Sequence, residues 1–244
     1  MPRRPDRACL LALAAALVLL ASACTPLGGG STVRGPTPEN DTVDYLALGD
    51  SYTIGEGVDP DGRWPVQLAR TLRAEGVALG DPRIIATTGW TTDELSQAMD
   101  AAEPLGRYGF VTLLIGVNNQ YRERSHAEYR GDFHDLLRRA IALAAGDSGR
   151  VMVLSIPDWG VTPFAAAQGR DPARIASDLD AYNAIAAELS AQHGVAFVDI
   201  TGISREHGAD PAMLEDDGLH PSEKMYGLWT REALPVARRL LGGH

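Results

Sequence analysis

Tyr45-Leu46-Ala47-Leu48-Gly49-Asp50-Ser51-Tyr52-Thr53 is an apolar run that breaks at a glycine, with a serine two residues beyond it. That is the pattern of a buried strand delivering a nucleophile to the edge of a sheet. A serine hydroxyl is a poor nucleophile at neutral pH. The chain must therefore also supply a base, an acid to orient it and donors for a developing oxyanion.

Working outward, further strand-like apolar runs lie at 83–87, 110–115, 151–156 and 195–200, besides the first at 43–48. Each is followed by turn residues and then a helical pattern. Strands alternating with helices imply parallel βαβ units and a three-layer α/β/α sandwich on a five-stranded sheet. Pro65 opens a helix over 66–74, and Thr92-Asp93-Glu94 offers a cap before one over 95–102. The stretch 126–145 spaces Phe133, Leu136, Leu137, Ile141 and Ala144 by threes and fours, an amphipathic stripe. The stretch 173–193 does the same with Ile175, Leu179, Tyr182, Ile185 and Leu189, and 222–241 closes the chain. Residues 157–172, with Trp159 and Phe164, read as a long loop after the fourth strand. Loops at the carboxyl ends of parallel strands build ligand sites.

The 244 residues suffice for one sizeable α/β domain at 43–244. The start of the chain differs in kind. Arg3, Arg4 and Arg7 precede an apolar run over 8–20 and then Ala21-Ser22-Ala23-Cys24. A basic region, a short apolar run and small residues before a cleavage point read as an export signal over 1–23. The run is short for a membrane span, and an N-terminal anchor is the other reading. Ala21-Ser22-Ala23-Cys24 resembles the lipobox of bacterial lipoproteins, with Ala21 where leucine is usual, and this implies lipidation of Cys24. A secreted protein cleaved near the same point is the alternative, so the expected location is the cell surface or the exterior. Cys9 lies inside the signal, so the mature chain keeps one cysteine and no intrachain disulfide. Residues 24–42, rich in Gly, Pro, Ser and Thr, read as a flexible tether.

Net charge is −10, and removing 1–23 takes away three arginines and one aspartate to leave −12. No basic patch is available to neutralise phosphates, so nucleic acid is not an expected partner. Membrane association would have to come from a lipid on Cys24. Oligomeric state is not encoded in any motif.

Four clusters fall at or just beyond strand ends: Gly49-Asp50-Ser51, Thr88-Gly89-Trp90-Thr91-Thr92, Gly116-Val117-Asn118-Asn119 and Asp216-Asp217-Gly218-Leu219-His220-Pro221. In this order they resemble the blocks of the SGNH hydrolases, also called the GDSL esterase/lipase family. Ser51, Gly89, Asn118 and His220 match the four letters of that name, and the resemblance runs from about Val43 to the C-terminal helix. It implies a flavodoxin-like fold and a serine ester hydrolase. It also implies an oxyanion hole made by the backbone N–H groups of Ser51 and Gly89 and the Asn118 amide.

The residue chemistry is compatible with those roles. His220 is the best base for Ser51, because imidazole titrates near the working pH. Asp217, three residues earlier, can accept the other ring N–H, with Asp216 as a solvated neighbour and Pro221 stopping the turn. Activity is then expected to fall as His220 protonates at mildly acidic pH. Glycine at 89 avoids a side chain that would obstruct substrate. Tyr52 stands where the GDSL name has leucine, and Asn119 where the family often has aspartate. The absence of a Gly-x-Ser-x-Gly elbow, and a nucleophile on the first strand, argue against the α/β-hydrolase fold.

Trp90, Trp159, Phe164 and Tyr121 each follow a strand end and read as either the lining of an acyl or leaving-group pocket or ordinary loop packing. Trp64 and Trp229 read as packing on helices. His126, His134, His193 and His207 share no spacing with cysteine or carboxylate partners and read as surface or helix-face residues. No metal site and no cofactor are expected. The expected substrate is a carboxylic ester, whether a small molecule, a lipid such as a lysophospholipid, or an acetylated carbohydrate. An inactive binding protein on the same fold is the non-enzymatic reading.

Overall fold

The structure, a computed structural model, describes residues 42–242. The expected signal, Cys9, Cys24, most of the tether and His244 lie outside the described residues. Five strands form one parallel sheet: β1 (Val43–Gly49), β2 (Leu79–Ala86), β3 (Phe110–Leu114), β4 (Val151–Leu154) and β5 (Ala196–Val198). Their order is β2-β1-β3-β4-β5. This is the flavodoxin-like doubly wound order that the resemblance implies, with the parallel strands expected from the alternating pattern. β1 is an interior strand, so Ser51 stands at the carboxyl end of the sheet and not along a lateral edge.

The helices are α1 (Ser51–Ile54), α2 (Trp64–Ala74), α3 (Thr92–Ala101), α4 (Val117–Tyr121), α5 (His126–Leu143), α6 (Pro163–Ala167), α7 (Pro172–Gln192), α8 (Thr201–His207) and α9 (Glu223–Leu240). The winding direction reverses between β1 and β3. Right-handed crossovers therefore put α2 on one face of the sheet, where it packs against α9, and α3, α5 and α7 on the other. Trp64 and Trp229 are fully buried between the sheet and the α2–α9 pair, with Tyr226 edge-on to Trp229 at 5.1 Å. Ile175, Leu179, Tyr182, Ile185 and Leu189 all turn inward on α7, as their spacing predicts.

Several boundaries differ from the sequence expectation. β2 starts at Leu79, four residues early, and runs through Pro82; it is an edge strand, where a missing N–H breaks no ladder. The cap of α3 is Thr91, not Thr92-Asp93-Glu94, and it forms a capping box with Glu94. The segment 157–172 is not a plain loop. It holds a 3₁₀ turn at Trp159–Val161 and then α6, whose first turn is opened by Pro163.

Two glycines let the sheet's switch point close. A Cβ on Gly49 would overlap Thr53 Oγ1 and the Leu114 carbonyl oxygen, so β1 and β3 can end side by side only with glycine there. Gly116, at φ 130°, brings the start of α4 against Tyr129 and Ile156, where a Cβ would lie 2.7 Å from the Tyr129 ring.

Candidate active site

Ser51 opens α1 directly after β1. Its neighbour Asp50 caps the helix by accepting the Tyr52 N–H at 3.0 Å. Asp50 is fully buried, and among the described residues its Oδ2 finds no hydrogen-bond partner. Burial outweighs the surrounding N–H groups of Tyr52, Gly116 and Asp50 itself and pushes this carboxyl up to about 7. Ser51 is 5% exposed and lines a cavity at the end of the sheet.

The two other strand-end clusters meet it there. Gly89 sits in the β2–α3 connection at φ 89°, a conformation that favours glycine. That backbone conformation, more than steric room, accounts for the residue: a Cβ would have no neighbour nearer than Arg122 at 3.8 Å. Arg122 Nη2 donates to the Gly89 carbonyl at 2.6 Å and Nη1 to Glu94 at 3.1 Å, which fixes the turn. Asn118, on α4, donates from Nδ2 to the Trp90 carbonyl at 2.9 Å. One amide hydrogen is thus spent on holding the side chain, and the other remains for the cavity that Asn118 lines.

Asn119 is fully buried and clamps α3 to α4. Its Oδ1 accepts the Thr92 N–H at 3.0 Å, and its Nδ2 donates to Thr92 Oγ1 at 2.7 Å. Thr92 Oγ1 donates onward to Asp132 at 3.0 Å. The amide therefore supplies a tie at the position where the resemblance left one in question.

The fourth cluster is a hydrogen-bonded loop closed by an antiparallel bridge between Leu214 and Pro221. Asp217 Oδ1 accepts the N–H groups of Leu219 and His220, both at 2.9 Å, while Gly218 turns the chain at φ 65°. Asp217 Oδ2 faces His220 Nδ1 at 2.5 Å. Burial disfavours the Asp217 charge. The hydrogen bonds from the His220 ring, the His220 N–H and the Leu219 N–H outweigh it, and the carboxyl is held below its usual range. With Nδ1 engaged, Nε2 is the ring nitrogen left for the cavity, which His220 lines. Tyr52 packs between His220, at 5.8 Å between ring centres, and Trp229, at 5.9 Å. An aromatic at this position thus braces the imidazole from the core side.

Ser51, Gly89, Asn118 and His220 therefore surround one cavity of about 190 Å³, together with Tyr121, Trp159, Phe164 and Leu219. Trp90 does not line it. Its ring packs against the core and its carbonyl anchors Asn118, so the pocket role expected for Trp90 is corrected.

A model of the GDSL-like Lipase/Acylhydrolase family matches residues 47–228, which contain all four clusters and end within α9. The chain belongs to this family. It is accordingly a GDSL-type hydrolase. No curated protein sequence matches it significantly. Among solved structures it is similar to TesA, at 19% identity and a TM-score of 0.65, over 81% of this chain and 99% of that one. It is also similar to the psychrotrophic esterase EstA from Pseudoalteromonas sp., at 16% identity and a TM-score of 0.64, over 82% and 98%. The acetyl xylan esterase Axe2 from Geobacillus stearothermophilus aligns at 20% identity and a TM-score of 0.61, over 82% and 94%. At these identities the likeness concerns the fold.

Three supports of this GDSL-type site have no signature in the sequence. Arg122 is one and Tyr52 as a brace is another. The third is Asp158, whose buried carboxylate accepts the Gly160 N–H at 2.8 Å and pairs with Arg205 at 2.9 Å, holding the turn that carries Trp159. An acidic residue between a strand end and a tryptophan was the only available clue. Of the remaining histidines, His126 pairs with Asp178 at 2.8 Å. His134 and His193 do more than cover helix faces: their Nε2 atoms meet at 2.9 Å.

Proposed function

We propose that the protein is a serine esterase working through an acyl-enzyme on Ser51. The observation that carries this is the Asp217–His220 couple at 2.5 Å, on the same cavity as Ser51, Gly89 and Asn118. Ser51 Oγ attacks the ester carbonyl carbon while its proton passes to His220 Nε2. The carbonyl oxygen becomes an oxyanion facing the N–H groups of Ser51 and Gly89 and the free Asn118 amide hydrogen. Collapse breaks the bond to the alcohol oxygen, which takes the proton from His220. Water then attacks the acyl-enzyme, gives a proton to His220, and the acid leaves as Ser51 regains its hydrogen. Asp217 keeps Nδ1–H in place and stabilises the imidazolium formed twice in the cycle.

A short-chain p-nitrophenyl ester tests this reading. Wild type is expected to turn it over and Ser51→Ala to lose the activity; equal rates in the two would remove the catalytic assignment. The same comparison separates the esterase from an inactive binding protein on this fold. Lysophospholipids and acetylated carbohydrates are the two substrate classes the same machinery would accept. We further propose export with a lipid on Cys24, supported by the basic, apolar and small-residue pattern over 1–24. Mass spectrometry of the mature N-terminus is expected to find an acylated Cys24, and an unmodified cysteine or cleavage elsewhere would sink it.

A further inference from the structure

Trp159 has two sides. One faces the Ser51 cavity, and the other walls a second, larger groove of about 900 Å³ between the α4–α5 connection and the start of α7. The first cavity, at about 190 Å³, falls short of the ~300–1,000 Å³ that ordinarily encloses a ligand. It suits a short acyl group, and the remainder of a substrate must lie elsewhere. Resting on the esterase reading, we infer that the groove beyond Trp159 is the subsite for the alcohol half of the ester, and that this half is a neutral polyhydroxylated unit, a sugar.

The lining chooses the class. Arg124, Arg170 and Arg174 are matched by Glu123, Asp171 and Asp178, so the groove offers no net charge to select a phosphate or carboxylate. Its apolar residues are Trp159, Ile175 and Ala181, and polar atoms make up the larger part of its lining. The Ser51 cavity, by contrast, is mostly apolar and is the better place for an acyl chain. What it offers in quantity is paired donors and acceptors. Trp159 Nε1 donates to Gln120 Oε1 at 2.9 Å, Gln120 Nε2 donates to Asp178 Oδ2 at 3.1 Å, and Asp178 Oδ1 meets His126 Nε2 at 2.8 Å. Such a chain runs from the shared wall into the groove and presents alternating polar edges to hydroxyl groups.

Between the two spaces stands a rim. Tyr121 is edge-on to Trp159 at 5.4 Å and remains 38% exposed, the one large hydrophobic side chain exposed among the described residues. The Arg170 guanidinium lies over the Tyr121 ring at 5.3 Å and the Trp159 ring at 5.8 Å. A partly exposed ring beside a guanidinium is a surface on which an apolar sugar face can lie.

The experiment has a turnover arm and a binding arm. Steady-state kinetics compare p-nitrophenyl acetate with partially O-acetylated cellobiose in wild type, Arg174→Ala and Ser177→Trp; both positions line only the groove. For the sugar ester KM is expected to rise about tenfold in Arg174→Ala, as for one lost charge-assisted hydrogen bond, and more when Ser177→Trp fills the groove, with kcat little changed. Loss by one common factor on both substrates, or an unmoved sugar-ester KM, overturns the inference. In the binding arm, calorimetry follows cellobiose binding to Ser51→Ala, and Ser177→Trp added to that background is expected to abolish it. Cellobiose binding in a wild type that turns over neither ester supports the groove and sinks the esterase reading. Turnover of p-nitrophenyl acetate without cellobiose binding, or with preference for a lysophospholipid, overturns the groove and leaves the esterase standing.

Discussion

Asp50, directly before Ser51, has no exposed surface, whereas Asp217, beside His220, keeps 44% of its side chain in contact with solvent. Both carboxyls serve the same reacting centre, and their proton affinities move in opposite directions. Asp50 accepts the Tyr52 N–H at 3.0 Å, and the N–H groups of Gly116 and Asp50 itself also favour its charge. Its second oxygen is unpartnered among the described residues, and burial outweighs these donors and pushes the carboxyl up to about 7. Asp217 spends one oxygen on two N–H groups and the other on an imidazole, and it is held below its usual range. Both carboxyls have donors around them, so the balance between those donors and burial, not the presence of donors alone, decides which carboxyl is ionised. Asp50 is a structural acid under the nucleophile that keeps its proton below about pH 7, and Asp217 is the charged partner that orients the base.

The largest effect that could break this contrast is on rate. In Asp217→Asn the amide oxygen can keep the Leu219 and His220 N–H groups, which turns Nδ2 toward His220 Nδ1. The ring must then carry its proton on Nε2, where it cannot accept one from Ser51. A loss of roughly 10⁴-fold in kcat is expected with little change in the denaturation midpoint. Activity retained within about tenfold would mean that Asp217 orients nothing.

A smaller effect, on stability, probes the other side. Folded Asp50 keeps its proton up to about 7, above the ordinary 3.8, so the native state binds a proton that the unfolded chain has released. The stability this contributes is complete below the unfolded value and is lost as pH rises through about 7. Asp217, shifted downward, has the opposite sign: its contribution is present above the unfolded value and fades as pH falls through the folded one. Asp50→Asn removes the first slope. Urea denaturation from about pH 4 to pH 8 is expected to move in favour of the variant, relative to wild type, by a few kcal/mol. Parallel profiles for the two proteins would show that Asp50 is ionised in the native state.

The same contrast explains what could be seen in the sequence. Ser51, Gly89, Asn118 and His220 were legible because each follows a strand or precedes a helix at one end of the sheet, and topology alone brings such positions together. Asp217 was legible because its partner is three residues away. Arg122, Tyr52 and Asp158 were not, since their contacts join segments far apart in the chain and no local period announces them. Trp90 misled for the same reason: its place after a strand was visible, and the direction of its ring was not. α6 was hidden because five residues are too few to show a helical period, and β2 begins before its apolar run because an edge strand tolerates Pro82 and the polar residues around it.

Asn119→Asp adds a third carboxyl and sharpens the comparison with the smallest expected effect. The site is as buried as that of Asp50; one donor already points at it, the Thr92 N–H at 3.0 Å, and the Thr92 hydroxyl, which accepts from the Asn119 amide, can become a second. That hydroxyl can swing its hydrogen away from Asp132, which lies nearer solvent and can be hydrated instead. If aimed donors govern ionisation, the substitution costs only about 1–2 kcal/mol in urea denaturation and leaves kcat/KM within tenfold, because the α3–α4 tie beside Asn118 survives. A cost beyond roughly 4 kcal/mol, with stability falling as pH rises, would put the new carboxyl in the class of Asp50. Depth would then outrank donors at this site, and the ionised state of Asp217 would owe more to its exposure than to its hydrogen bonds.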